Sequence, residues 1–310
     1  MNRNKLWLIV CLFIAGSIAY GQQAVGTALK VGSYNIRYDN EGDRKNGNGW
    51  PSRFPVVASI IQYADLDIFG AQEVLHNQLE DLQQALTAYD YVGVGRDDGR
   101  TKGEYAPIFY KRERFAKLGE GVFWLSETPD RPSKGWDAAL PRICTWVSLR
   151  DKNSGKQLWF FNLHLDHVGM IAREKSCELV LTEIKKRVGD GTAIVTGDFN
   201  VDQNTAMYRI LSSSGVVKDS YAAAAFRYAW NGTFNAFDTN LYTESRIDHV
   251  FVSTPVEVKK YALLTDSYRS PQANGREIKK GDFPKELSFK EYVVRLPSDH
   301  FPVVVDLVIP

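Results

Sequence analysis

Cysteine is scarce in this chain, which has three, Cys11, Cys144 and Cys177, none at the spacing of a thiolate metal site. An excess of charge of one sign is also missing: 38 Lys and Arg face 37 Asp and Glu, a formal net charge of +1. So balanced a chain has no overall footprint for tight non-specific binding to nucleic acid, although a local basic patch still suffices for a nuclease. No apolar run reaches the roughly 20 residues that span a bilayer. Internal repeats, low-complexity segments and linker-like stretches are absent as well. What is present is an ordinary globular composition, 44% hydrophobic and 12% aromatic over 310 residues, enough for one large domain with a full core.

The N-terminus reads as a targeting segment. Arg3 and Lys5 precede an apolar run from Leu6 to Ala19, and Ala19-Tyr20-Gly21 places small residues before Gln22. This is the pattern of a secretory signal over residues 1–21, cut after Gly21, leaving 22–310 as a single exported, monomeric domain with no transmembrane anchor, periplasmic or secreted. Cys11 follows Val10, which does not suit lipid attachment. The two cysteines left after cleavage, Cys144 and Cys177, are read as buried thiols.

Hydrophobic period then alternates between strand and helix along the chain. Leu29–Ile36 reads as a strand, followed by a loop rich in Gly, Asn and Asp from Tyr38 to Gly49. Pro51 opens a helix with Phe54, Val57, Ile60 and Ile61 on one face, and Leu75, Leu79, Leu82 and Leu86 mark a second. Between them Asp67–Ala71 is a short strand. Tyr89–Val94, Ala106–Lys111, Ile143–Leu149 and Leu158–His164 read as further strands, and Ala172–Val188 as a helix. A short helix from Thr205 and strands at Ile247–Val252, Val256–Leu264 and Phe301–Val308 complete the pattern.

Ala193–Asn200, AIVTGDFN, is the most informative stretch. Four apolar or β-branched residues form a buried strand, Gly197 ends it, and Asp198 and Asn200 follow on a tight turn. Taken singly this is turn chemistry. Other strands end the same way, however: Asn35 in SYNIR, Gln72-Glu73 in AQEV, Glu104 in GEYAPIFY, Asn162 and His164 in NLHLDH, Asp248 in RIDHVF, and Asp299-His300 in PSDHFPV. Polar groups placed repeatedly at strand ends are where an α/β sandwich assembles a site.

The order of these motifs, from about Leu29 to Val308, resembles the endonuclease/exonuclease/phosphatase superfamily with the DNase I-like fold, in particular its deadenylase- and nocturnin-like Mg-dependent phosphohydrolases. The resemblance implies an α/β fold: a four-layer sandwich, two packed mixed β-sheets flanked by helices. It implies metal-assisted attack of water on a phosphate ester, most directly a phosphodiester. A phosphomonoesterase or a phospholipase C-like hydrolase acting on a sugar or inositol phosphate or on the sphingomyelin headgroup is the alternative. A catalytically silent binding member is the further one, disfavoured because no motif is lost. By the same resemblance Glu73 and Asp299 hold Mg²⁺ (Mn²⁺ as a possible substitute). His300, held by Asp248, is the general base or phosphate-polarising group; Asp198 orients water; Asn35 and Asn200 contact phosphate. His164 is the second histidine, a general acid or transition-state donor, with Glu104 as its carboxylate partner.

Two loops stand outside that pattern. Arg142, in the loop Glu127–Arg142, either clamps a phosphate bidentately or pairs with a surface carboxylate. The insertion between Asp266 and Pro297 interleaves basic residues, among them Lys279, Lys280 and Lys285, with Tyr268, Phe283, Phe289 and Tyr292. It reads either as a grip on a nucleic acid backbone or as a solvated excursion, since acidic residues offset much of its charge.

Overall fold

The first strand of the computed structural model, which describes residues 26–310 apart from 273 and 280, shows how the chain makes its core. Along TALKVGSYN (β1, Thr27–Asn35) every residue except Ala28 and Lys30 is buried, because both faces of the strand are covered. A seven-stranded mixed sheet forms around it in the order β10 (Phe226–Tyr228), β12 (Glu257–Leu263), β17 (Val303–Ile309), β1, β2 (Ile68–Gln72), β4 (Ile108–Lys111), β3 (Tyr89–Val92). The second sheet has six strands: β5 (Phe115–Trp124), β6 (Ile143–Asp151), β7 (Gln157–His164), β8 (Thr192–Asp198), β11 (Asp248–Ser253) and β9 (Val217–Asp219).

Three apolar layers hold these sheets and their helices together. Val31, Ile68, Val305 and Leu307 of the first sheet meet Val147, Phe160, Ile194 and Val250 of the second. Outside the first sheet, α2 (Trp50–Ala64) and α3 (His76–Ala85) bring Val57, Ile61, Leu79 and Leu82 onto Phe69 and Phe109. Outside the second, α4 (Met170–Val188) and α5 (Ala206–Ser212) bring Cys177, Val180, Ile184 and Leu211 onto Phe161, Val195 and Phe251. The result is the four-layer α/β sandwich expected, stabilised mainly by burial at roughly 25 cal/mol per Å² of apolar surface. Cys144 and Cys177 are free and buried, as read from the sequence. The signal segment and Cys11 lie outside the described residues.

One polar layer interrupts the inter-sheet core. Asn162 on β7 accepts from Gln72 Nε2 (2.7 Å) and from Thr196 Oγ1 (3.0 Å), and donates to the carbonyls of Ala71 (2.7 Å) and Pro107 (3.0 Å). Gly70 sits against Asn162 and Thr196 so closely that a Cβ there would overlap both side chains. The layer joins the two sheets just beneath their strand ends and so fixes how β2 lies over β7 and β8.

Three local features differ from the sequence reading. The loop Tyr38–Gly49 contains a short helix, α1 (Glu41–Lys45), capped by Asn40, whose Oδ1 accepts from the Asp43 amide at 2.9 Å. The ten-residue edge strand β5 is not announced by its sequence, because Lys117, Gly119, Glu120 and Gly121 leave no clear alternation. The insertion is no loop: β13 (Tyr268–Pro271) pairs with β16 (Tyr292–Arg295), and β14 (Glu277–Ile278) with β15 (Phe289–Lys290). A short helix, α6 (Ser220–Ala223), precedes β10.

Candidate active site

The parallel strands β1 and β2, and β7 and β8, all end at one rim of the sandwich; the antiparallel strands β11 and β17 begin there. Asn35, His164 and Asp198 are the last residues of their strands, Asp248 is the first of its own, and Glu73, Asp299 and His300 lie just beyond. This topology brings together residues up to 265 positions apart, as in the approach of Asn35 to His300. A cleft of about 500 Å³ opens over them, lined by Glu73, Glu104, Arg142, His164, Asp198, Asn200, Asp299 and His300.

The centre is a tight hydrogen-bonded group. Asn35 Nδ2 donates to Glu73 Oε1 (3.1 Å) and Asp198 Oδ2 (2.9 Å) and lies 3.4 Å from His300 Nε2. His300 Nδ1 is 2.8 Å from Asp248 Oδ2, and the Phe234 ring stands edge-on to the imidazole at 5.0 Å between centroids. Burial opposes a charge on His300, but Asp248 and Asp198 outweigh it and hold its pKa well above the ordinary value, so it is an imidazolium at neutral pH. Burial, with Asp248 adding, raises the Asp198 carboxyl. Burial pushes Asp299 up to about 6, with His300 opposing and Glu73 adding.

Two features missed in the sequence complete this side. The Arg37 guanidinium lies 3.4 Å from Asp299 Oδ2 and 3.9 Å from Glu73 Oε2, while the Arg37 amide donates to Asn35 Oδ1 at 3.0 Å. Its position two residues after Asn35 in SYNIR was the available signal. Backbone strain also pools here: among the described non-glycine residues with positive φ are Arg37 (58°), Glu73 (60°) and Asn200 (48°). Left-handed conformations of such residues cost about 1–3 kcal/mol each and persist where their surroundings demand them.

On the opposite wall the structure departs from the expected pairing. His164 Nδ1 is 3.6 Å from Glu104 Oε2, beyond hydrogen-bonding distance, and Glu104 is instead held bidentately by Arg96 at 2.7 and 2.8 Å. Asn200 Nδ2 donates to the Leu165 carbonyl (3.1 Å) and faces His164 Nε2 at 3.2 Å, which makes that ring nitrogen an acceptor. Burial, with Arg142 adding, lowers His164 to about 3, so the ring is neutral. The expected His164–Glu104 hydrogen bond is therefore not formed, and His164 Nε2 is engaged by Asn200 instead. Arg142 pairs not with a surface carboxylate but with the buried Asp166 (3.4 Å) and with His167 Nδ1 (3.0 Å). Its Nη1 is buried without a hydrogen-bond partner, 4.0 Å from Glu104 Oε2, and the residue lines the cleft. His167 lies beyond NLH in NLHLDH, where its contact with Arg142, 25 residues away, and its place in the cleft lining single it out.

The donor set fits a hard divalent cation. Ligand atoms of Glu73, His164 and Asp198 lie within 4.8 Å of one another, and Asp299 Oδ2 and Glu73 Oε2 lie 3.4 and 3.9 Å from the same Arg37 Nη1, so a second carboxylate stands beside the group. None of the described residues of the insertion lines the cleft; Arg276 pairs with Glu291 and Lys279 with Glu277 within the ribbons, and Lys280 lies outside the described residues.

A model of the Endonuclease/Exonuclease/phosphatase family matches residues 32–300. An endonuclease/exonuclease/phosphatase family protein of Bacteroides thetaiotaomicron is 51% identical, with TM-score 0.85 over 92% of this chain and 99% of its own. A mannosyl-6-phosphatase of the same organism is also 51% identical, with TM-score 0.84 over 91% of this chain and 100% of its own. The human nocturnin catalytic domain shares the fold at 17% identity, with TM-score 0.63 over 90% of this chain and 93% of its own. With the strand-end constellation in place and the family model spanning most of its length, this chain belongs to the endonuclease/exonuclease/phosphatase family and is a hydrolase of phosphate esters.

Proposed function

We propose that the protein is an exported, Mg²⁺-dependent phosphomonoesterase that releases phosphate from a hexose. The observation that carries this reading is the 51% identity, over nearly the whole of both chains, to a mannosyl-6-phosphatase. The cleft adds support, because both Arg37 and Arg142 line it and suit the dianion of a monoester. The basic insertion, the sequence motive for a nucleic acid substrate, supplies none of the lining, so weight moves from the diester to the monoester.

Glu73 and Asp299 are the ligands proposed for Mg²⁺, which when bound neutralises charge on the phosphate and on the leaving oxygen. Everything else is assigned to side chains. Asp198, raised by burial, takes a proton from the attacking water. The His300 imidazolium, kept charged and oriented by Asp248, donates to a phosphoryl oxygen as negative charge builds there. Asn35 fixes Glu73 and Asp198 relative to one another. His164 orients the Asn200 amide at the far side of the phosphate. Water adds at phosphorus, the P–O ester bond breaks, and the departing oxygen takes up the proton that Asp198 accepted, so the products are inorganic phosphate and the free hydroxyl.

The test compares mannose 6-phosphate, bis-p-nitrophenyl phosphate and single-stranded RNA with Mg²⁺, Mn²⁺ or EDTA, following phosphate or nucleotide release. kcat/KM on the hexose monoester is expected to exceed that on either diester by at least an order of magnitude. The reverse order returns the enzyme to phosphodiesters. Export rests on Arg3, Lys5 and the apolar run Leu6–Ala19. Terminal sequencing of protein made in its own host should begin at Gln22; an N-terminus at Met1 removes export from the reading.

A further inference from the structure

Beside the cleft lies a surface that the hydrolysis of a phosphate ester does not use. Trp230 is 81% exposed, Tyr63 92% and Tyr228 51%, costly positions for rings of that size unless something covers them. They border two adjoining grooves. One, of about 340 Å³, has Trp230, Asn231 and Asp238 in its walls. The other, of about 610 Å³, has Tyr63, Tyr228 and Asp266. Thr265 and Ser267 line both, so the two form a continuous track.

The first groove lies close to the active site. Phe301 lines the first groove and His300, its neighbour, lines the cleft; Phe234 lines the cleft and pairs across a β-bridge with His300. The loop carrying Trp230 is tied to the same place. The amides of Asn235 and Ala236 both donate to the Asp299 carbonyl, at 2.7 and 3.3 Å, and Phe301 N donates to the Thr233 carbonyl at 2.8 Å. Ala236 and Phe237 hold left-handed backbone there, φ 53° and 59°, so this loop is locked at a cost.

The lining chemistry selects one kind of occupant. No Lys, Arg or His is among the residues lining either groove, while Asp238 and Asp266 are, so a nucleic acid or another polyanion is repelled. Leu241 and Leu296 in the first groove and Val56, Ile60 and Leu264 in the second add apolar surface between these rings and the hydroxyl, amide and carboxylate groups. Flat aromatic faces spaced by carboxylate, amide and hydroxyl groups suit a neutral pyranose chain: the C–H face of a sugar ring packs on an aromatic ring, and its hydroxyls bond the polar groups between. We propose that this track binds a neutral oligosaccharide, and that the phosphate hydrolysed in the cleft is carried by such a chain. The second clause rests on the proposed hexose monoester activity; the first does not.

The experiment uses the full chain with Trp230→Ala, Tyr228→Ala, the double variant and Trp230→Phe. Their migration is compared in native gels containing soluble mannan, β-glucan or xylan, and their turnover of mannose 6-phosphate and of phosphorylated manno-oligosaccharides is measured. Wild type should be retarded by at least one glycan, the alanine variants much less, and Trp230→Phe should regain most of the retardation. On the glycan phosphate, Trp230→Ala should raise KM about tenfold, while kcat/KM on mannose 6-phosphate stays unchanged. Retardation by none of the glycans, or retardation indifferent to both aromatics, overturns the binding track. Retardation lost in the variants with no turnover of either phosphate keeps the track and removes the hexose monoester reading. Turnover of mannose 6-phosphate with an unaltered KM for the glycan phosphate in Trp230→Ala overturns the link between track and cleft.

Discussion

His300 Nδ1 and Asp248 Oδ2 are 2.8 Å apart and fully within the protein, and this contact decides the protonation of the imidazole. Asp248→Asn removes its counter-charge, and kcat/KM should fall by about 10³-fold. The pair also marks stability. Because the folded pKa of His300 lies above its unfolded value, the stabilisation is complete below about pH 6.5 and is lost as pH rises through the folded value. Thermal scans from pH 6 to 10 should therefore show an alkaline decline in wild type that Asp248→Asn lacks. At neutral pH the variant should be less stable by about 3 kcal/mol. An identical alkaline decline in both proteins would show that the pair is not charged.

Glu73→Gln removes one anionic oxygen from the proposed metal site and leaves its volume unchanged. The Mg²⁺ concentration for half-maximal activity should rise by an order of magnitude or more, and the maximal rate should fall, while EDTA abolishes turnover in both proteins. Titration calorimetry with Mg²⁺ alone checks the same point without substrate. Unchanged Mg²⁺ affinity in Glu73→Gln would remove Glu73 from the ligand set.

The geometry at His164 makes a kinetic distinction. A neutral ring whose Nε2 accepts from Asn200 keeps its one proton on Nδ1, on the side of Glu104. His164→Ala should therefore lose activity to a similar extent on p-nitrophenyl phosphate and on mannose 6-phosphate, by about 10²-fold through misplacement of Asn200. A loss confined to the alkyl ester would show that His164 protonates the leaving oxygen.

Gly70 tests the polar layer between the sheets. A methyl group there overlaps Asn162 and Thr196, which are hydrogen-bonded to one another and cannot both withdraw. Gly70→Ala should cost about 1–3 kcal/mol in urea unfolding and shift Tm downward. A stability within error of wild type would mean the layer is loosely packed.

Much of this site was legible because a buried strand leaves little choice about where polar residues go. Asn35, Asp198, Asp248 and His300 interrupt apolar runs at their ends, and strand direction then gathers them on one rim. What stayed hidden depends on contacts that no local pattern carries. Arg96, 8 residues before Glu104, takes the carboxylate that was expected to serve His164. Strand β5 stays unannounced because Gly121 is there to admit the Trp146 ring, a need visible only across the sheet. The aromatic track is scattered over α2, β10 and the following loop, and only their packing makes it one surface.

The pairing of β1 with β17 has a practical corollary. Thr27 lies opposite Ile309 at one end of that ladder, and Ser33 opposite Val303 at the other, beside Asn35 and His300. Nearly the full length of a strand, roughly 20–25 Å, thus separates the two outer ends of the ladder from the mouth of the cleft. An affinity handle or a bead attached behind Ile309 leaves substrate access untouched. Because the last strand delivers Asp299 and His300 to residues supplied by the first, catalysis switches on only after both have docked, and enzyme activity becomes a sensitive clock for the final stage of refolding.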